Sequence, residues 1–459
     1  MLKKVAIILL LIIFIQMLPS TFASANVPFR NLEAFSALLI EEETETILFE
    51  HNAHRTHPAA ALTRIMTVHL AVQAIENGDI RDNEIIEMTE SAWYGLDDES
   101  NTLGIEPEER MRFLDLVYAS FLSNSHEASN MIALRLGGSI DSFVAMMNRR
   151  ATEIGLQNTR FTNANGRHDE RQVTTAYDQF LFFREALTSS LFDEIASTFR
   201  HITDPLDEQP SRNLTSTNQL LNQGSRYFYR HSLAGVEGSS FEGGRSLIAY
   251  AQESEMTLFS VVLGAGEYQF EDGSVDLHHF TETVRLFHWG FDSFAWRDIL
   301  RTTDLLERVP VLHGAGADFV TARPESSLTL LLNNSVQLES FDRHVTIYAI
   351  DNDEPLLAPV SAGEVLGEVV IMRGNVEYAR IPVIANANVE LAATEFMRRQ
   401  IVDILTSTTA RSVYIILALV LLLYLALLTR YHVLRINRRR RIRQAKNDLI
   451  RERHESFRE

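Results

Sequence analysis

Hydrophobic and polar positions change their spacing several times along the chain. Ser36-Ala37-Leu38-Leu39-Ile40, a polar stretch over 41–44, and Glu45-Thr46-Ile47-Leu48-Phe49-Glu50 read as two strands joined by a turn, an edge hairpin. Over 63–77 the period becomes helical. Ile65, Met66, Leu70, Ala71, Ala74 and Ile75 put one stripe into a core. Further helices are predicted over 111–122, 128–136, 139–154 with a stop near Gly155, and 175–187. Strands return over 245–251 and 257–263, separated by Gln252-Glu253-Ser254-Glu255, and a helix with aromatic stripes follows over 280–294. Beyond Trp296 the pattern is one of short strands, 327–332, 344–349 and 365–372, the last before Arg373-Gly374-Asn375. That predicts a small all-β domain ending near Ala387.

The two ends are of another kind. Lys3 and Lys4, an apolar run over 5–15 and Ala23-Ser24-Ala25 have the order of a cleavable secretory signal, with an uncleaved anchor as the alternative. Over 389–407, Leu391, Phe396, Met397, Ile401, Ile404 and Leu405 recur at helical spacing, so an amphipathic helix leads toward the C-terminus. The 18 residues 412–429 carry no charge and are flanked by Arg411 and Arg430. They have the length of a membrane span and no polar face, which argues against a buried core helix. The tail from Arg430 onward has a net charge of +7, and positive charge beside a span stays cytoplasmic. The resulting expectation is a single-pass cell-membrane protein with its body outside and its C-terminus in the cytoplasm.

Charge narrows the choice of partners. Residues 26–429 hold 29 basic side chains, every one arginine, against 57 acidic ones, near −28. Such a body repels nucleic acid and anionic polymers. The arginine-rich tail, lying beside a span, is expected to meet anionic lipid headgroups rather than nucleic acid. The absence of cysteine excludes disulfides and thiolate sites.

The segment Pro58-Ala59-Ala60-Ala61-Leu62-Thr63-Arg64-Ile65-Met66-Thr67 resembles the nucleophile segment of the penicillin-binding D-Ala-D-Ala carboxypeptidases (serine peptidase family S11). Other stretches resemble that family in the same order: Phe49-Glu50-His51-Asn52-Ala53-His54, Met147-Asn148, Gly155-Leu156-Gln157-Asn158-Thr159-Arg160-Phe161, Thr174-Thr175-Ala176-Tyr177-Asp178, Val261-Val262-Leu263-Gly264-Ala265, Leu357-Ala358-Pro359-Val360 and Gly363-Glu364-Val365-Leu366-Gly367. The resemblance spans roughly residues 30–405. It implies an α/β fold, a penicillin-binding or serine β-lactamase-like domain with an antiparallel sheet flanked by helices. A small all-β domain and the C-terminal transmembrane helix follow it. The expected segmentation is a signal peptide at 1–25, the carboxypeptidase-like domain at 26–296, a β-sandwich-like domain at 297–388, an amphipathic helix at 389–411, the span at 412–429 and a basic tail at 430–459.

The family's chemistry implies three motifs around one cleft: a serine nucleophile with a lysine base one helical turn later, a Ser-x-Asn loop, and a Lys-Thr-Gly strand that binds the terminal carboxylate. Here Ala61 and Arg64 take the first pair of positions, so the hydroxyl is missing and the base is a guanidinium that keeps its proton. Thr63, two residues from Ala61, points about 200° away around the helix and does not replace it. Asn124-Ser125-His126 stands where Ser-Gly-Asn is usual. In place of the third motif, Gly235-Val236-Glu237-Gly238-Ser239-Ser240 puts Glu237 and Gly238 at the carboxylate-binding positions, and that acid is expected to repel the family's ligand by up to ~4 kcal/mol. Arg230 and Arg245 are expected to be surface arginines rather than cleft residues.

The remaining candidates are weaker. Ser125, His126 and Glu127 are adjacent, and adjacent side chains diverge, so they are not expected to form a triad. His51, His54 and His57 lie three apart, but on a strand exit and loop. No metal and no cofactor is expected there. Asp351-Asn352-Asp353-Glu354 lacks the glycine and distal glutamate of a calcium loop and reads as a turn. Asn213-Leu214-Thr215 is a glycosylation triplet of little specificity. The expectation is a homologue without catalytic residues that binds or scaffolds, toward cell-wall peptides or wall-synthesis proteins. One rival is an active carboxypeptidase with a rebuilt site at Ser239 or Ser240 near Arg64. The other makes the β domain and tail an interaction device in which the cleft has no part.

Overall fold

The computed structural model describes residues 31–455 except 94, 99 and 207–209. The signal expected at 1–25 lies outside the described residues. The chain divides into two compact units, 1–295 and 296–459.

The first unit is built on a five-stranded antiparallel sheet of β1 (Ala34–Glu41), β2 (Ile47–His51), β3 (Ser232–Ser240), β4 (Gly244–Glu253) and β5 (Met256–Ala265), in spatial order β2-β1-β5-β4-β3. Leu38 and Ile248 both pair with Val261 across the central strand. The middle strands are apolar on both faces because helices cover both. The helix His278–Ser293 lies against β5, β4 and β1. Its close approach needs Gly290, where an added Cβ would sit 2.6 Å from Leu258 and 2.9 Å from Leu39.

Helices α1 (Arg64–Glu76), α2 (Phe113–Leu122), α3 (His126–Gly137), α4 (Ile140–Ile154), α5 (Ala176–Ala186) and α6 (Ser190–Ser197) complete this unit before α7, the His278–Ser293 helix. Serine or threonine side chains accept from backbone N–H groups at the starts of α3, α4, α5 and α6. The single apolar stripe expected on α1 is not what forms. This helix is central, with α2, α3, α4 and α6 against it, and buries Arg64, Thr67 and His69 beside its apolar residues. Two of these polar side chains find partners inside: Thr67 Oγ1 donates to the Ala164 carbonyl at 2.6 Å, and His69 Nε2 accepts from Arg150 Nε at 3.2 Å.

In the second unit, β6 (Glu307–Leu312), β7 (Phe319–Pro324), β8 (Asp342–Ile347), β9 (Leu356–Leu357), β10 (Val365–Arg373) and β11 (Val376–Ala385) form one sheet, ordered β8-β10-β11-β7-β6-β9. A separate pair joins Phe294–Leu300 to Leu328–Asn333. The strand expected over 344–349 ends at Ile347, and Tyr348–Asp351 is a helical turn. The amphipathic helix, α8, begins at Ala393 and ends at Thr406. Val389 and Leu391 belong instead to the β core, where Val360 bridges Val389 and Gly314 bridges Leu391. Then α9 runs unbroken from Thr408 to Glu455, with one apolar stretch long enough to cross a membrane.

Candidate active site

A cleft of about 720 Å³ opens in the first unit between the start of α1, the edge strand β3 and the turn before α3. Ala61 lies in a 3-10 turn, Ala60–Thr63, that leads directly into α1, and Arg64 is the first residue of that helix. Both line the cleft, together with Asn124, His126 and Glu237. Gly238 meets Ala61 from the strand side; a Cβ built on it would lie 2.8 Å from the Ala61 Cβ. All six positions singled out from the sequence therefore lie in or against one cleft.

Arg64 is 1% exposed. Its Nη1 donates to the Asn165 carbonyl at 3.4 Å, while Nε and Nη2 have no hydrogen-bond partner. Burial pulls its pKa down to about 10, Glu237 opposes that pull, and the group remains a cation at neutral pH. Glu237 is 6% exposed. Burial pushes its carboxyl above the usual carboxylate range, and Arg245, Thr217 and Arg64 hold it back. Arg245 Nη1 stands 3.7 Å from Glu237, and Arg245 Nε donates to Glu267 at 2.8 Å.

Arg245 thus corrects the surface expectation, because it lines the cleft. It is carried there by pairing with Ser239 across β4 and β3. Arg230 stays exposed and donates to His231 at 2.7 Å. Arg245 offsets part of the Glu237 charge.

Asn124 has a positive φ of 56°, and its Nδ2 donates to Thr217 Oγ1 at 3.5 Å. The next residue, Ser125, caps α3 by accepting from Ala128 N at 3.2 Å, and its hydroxyl donates to Glu127 at 2.6 Å. Ser125 and Glu127, on either side of His126, do therefore meet, contrary to the divergence argument. The contact is structural: both are fully buried, and Glu127 also accepts from the backbone of Leu103 and Ile105 at 2.6 and 3.4 Å. His126 turns away from them into the cleft. Burial, then Arg64 and Arg167, pushes it down to about 3, so it is neutral. Across the strand, His279 Nε2 is 3.6 Å from Glu237, and burial also drives it to about 3. Thr63 is buried with its hydroxyl unpaired and does not line the cleft.

The three early histidines serve separate contacts. His51 meets Asn52 at 3.0 Å, His54 packs on Tyr177 at 4.8 Å, and His57 meets the Gly243 carbonyl at 2.7 Å. Among the described residues no group of His, Asp or Glu has the arrangement of a metal site.

Sequence reasoning missed Asn101, Thr217, Gln219, Ser225, Tyr227, Leu277 and Phe280, which complete the lining. Asn101 arrives on a loop, clamped by its own side chain to the carbonyls of Ser123 and Asn124 at 2.8 and 3.1 Å. No periodicity marks such a loop position.

The family model for D-alanyl-D-alanine carboxypeptidase matches residues 21–267. The chain belongs to the D-alanyl-D-alanine carboxypeptidase family. It is 25% identical over 376 residues to D-alanyl-D-alanine carboxypeptidase DacF of Bacillus subtilis, covering 81% of this chain and 90% of that one. Penicillin binding protein 5 of Haemophilus influenzae has the same fold, with a TM-score of 0.55 at 22% identity over 78% of this chain and 98% of that one. So does a peptidoglycan synthesis regulatory factor of Streptococcus pneumoniae, with a TM-score of 0.55 and 22% identity over 78% of this chain and all (100%) of that one.

Proposed function

We propose that this chain is a membrane-anchored, non-catalytic member of its family, linked to peptidoglycan metabolism through binding or scaffolding at the outer face of the cell membrane. The observation that carries the reading is the pair at the start of α1. Ala61 has no nucleophilic atom, and Arg64, which lines the same cleft, has a pKa near 10 and no capacity to act as a neutral base. Losing a nucleophile and its base together costs about 10⁶ in rate in enzymes where they act as a unit. The names of the relatives, carboxypeptidases and a peptidoglycan synthesis factor, support the link to wall peptides.

In this reading residues 1–25 are a signal peptide and 26–296 the binding domain. Residues 297–388 form an accessory β domain, the apolar part of α9 at 412–429 is the span, and the basic remainder lies on anionic lipid in the cytoplasm. The deciding experiment is intact-mass spectrometry of the full chain in detergent after incubation with a reactive penicillin, beside an active carboxypeptidase. No mass gain is expected. A stable adduct sinks the reading, and its mapped position, Ser239 for instance, would name the nucleophile of a rebuilt site.

A further inference from the structure

The cleft carries charge, but little of it is available to a ligand. Arg245 is engaged by Glu237 on one side and Glu267 on the other. The guanidinium of Arg64 is sealed beneath the surface, and His126, which faces the site, and the buried His279 beside Glu237 are neutral. Besides the half-buried Arg245, what a ligand can reach is uncharged and hydrogen-bonding: Asn101 and Ser239 are exposed and Gln219 and Thr217 half-buried along the same wall. The acid Glu237 lines this wall as an acceptor.

Such a lining offers both donors and acceptors, and its reachable cation, Arg245, already has two carboxylate partners. An incoming carboxylate would lose its water, compete with Glu237 and Glu267 for that guanidinium, and face Glu237. A primary carboxamide has the same shape, donates through its NH2 to a carboxylate or amide oxygen, and accepts through its carbonyl from an amide or hydroxyl. We propose that the cleft binds peptides whose end is an uncharged carboxamide and discriminates against the same peptides ending in a free carboxylate. Glu237 is the specificity-determining residue: it accepts from the amide N–H and repels the carboxylate. This deepens, and rests on, the non-catalytic reading above.

The test is isothermal titration of the full chain in detergent with acetyl-D-alanyl-D-alanine amide and with the corresponding free acid. The amide is expected to bind at least about tenfold more tightly, and Glu237→Gln, which keeps the shape and removes the charge, is expected to shrink that ratio toward one. If Glu237→Gln does not fold, the wild-type chain still decides: amide binding should be insensitive to salt, because no ion pair forms. Tighter binding of the acid, binding of neither peptide, salt-sensitive amide binding, or tighter binding of an N-acetylglucosamine tetramer would each overturn the proposal. A penicillin adduct would instead overturn the non-catalytic reading, so the two failures are distinguishable.

Discussion

Gly238 on β3 faces Ala61 so closely that a Cβ on the glycine would lie 2.8 Å from the alanine Cβ and 3.1 Å from the Leu62 nitrogen. The edge strand and the turn that starts α1 are in contact with no side chain between them. Gly238→Ala must push the strand away from the turn, and overpacking of this kind costs about 1–3 kcal/mol. Urea denaturation should show that loss with an unchanged slope. A neutral effect would mean that the strand edge yields freely.

Arg64 is expected to cost the fold stability. It is a buried cation with two nitrogens unpaired, while Glu237, whose charge acts on it, is also served by Arg245. Replacing it with an apolar chain of similar length removes the desolvation of those donors and leaves Glu237 paired. Arg64→Met should therefore stabilise the protein by about 1–2 kcal/mol in the same denaturation experiment. Destabilisation would show that the field of Glu237 outweighs the missing hydrogen bonds.

The core elements around this site were legible because their periods are strong. The helices α4 and α5 form within a residue or two of the predicted bounds, and β5 is mostly apolar, broken by Thr257 and Ser260. What escaped has particular causes. The pattern of β3 is broken by Gly235 and Gly238, so alternation alone does not reveal it. On α1 the sequence predicts a single apolar stripe and not the burial of Arg64 and His69, because nothing local records that four other helices pack around them. The role of Arg245 depends on its pairing opposite Ser239, a relation between two strands that a linear pattern does not hold. The missing Ser and Lys were readable because they are identities rather than geometries.

Acid should unfold this protein early. Burial lowers the pKa of His69 to about 4 and of His126 and His279 to about 3. Each lies below the ordinary value of 6.5, so the folded state binds fewer protons than the unfolded chain once the pH falls below 6.5. The stability is complete above that value and is lost as the pH approaches 4 to 3. Three such groups give a slope of up to about 4 kcal/mol per pH unit. Glu237 works in the opposite sense from its ordinary 4.5 upward, since its raised pKa favours the protonated folded state, and it softens the loss at the acid end. Denaturation between about pH 7 and about pH 5 should show the fall, and His279→Leu should flatten it by roughly a third. An unchanged slope in that variant would assign the acid sensitivity elsewhere.

The apolar part of α9 is expected to behave as a span rather than as a surface helix. From Val413 to Leu427 its large apolar side chains are roughly half or more exposed on every side, and no element of the second unit covers them. An apolar surface of that extent is not kept in water. By contrast α8 has only one apolar face, with Phe396, Met397, Ile401 and Leu405 exposed beside Arg398 and Asp403, which suits attachment to a membrane surface but not insertion. Alkaline carbonate treatment of membranes should therefore release a chain ended at Arg411 and leave the full chain in the pellet. Release of both would show that α9 does not cross the bilayer, and retention of both would place the anchor in α8 or at the N-terminus.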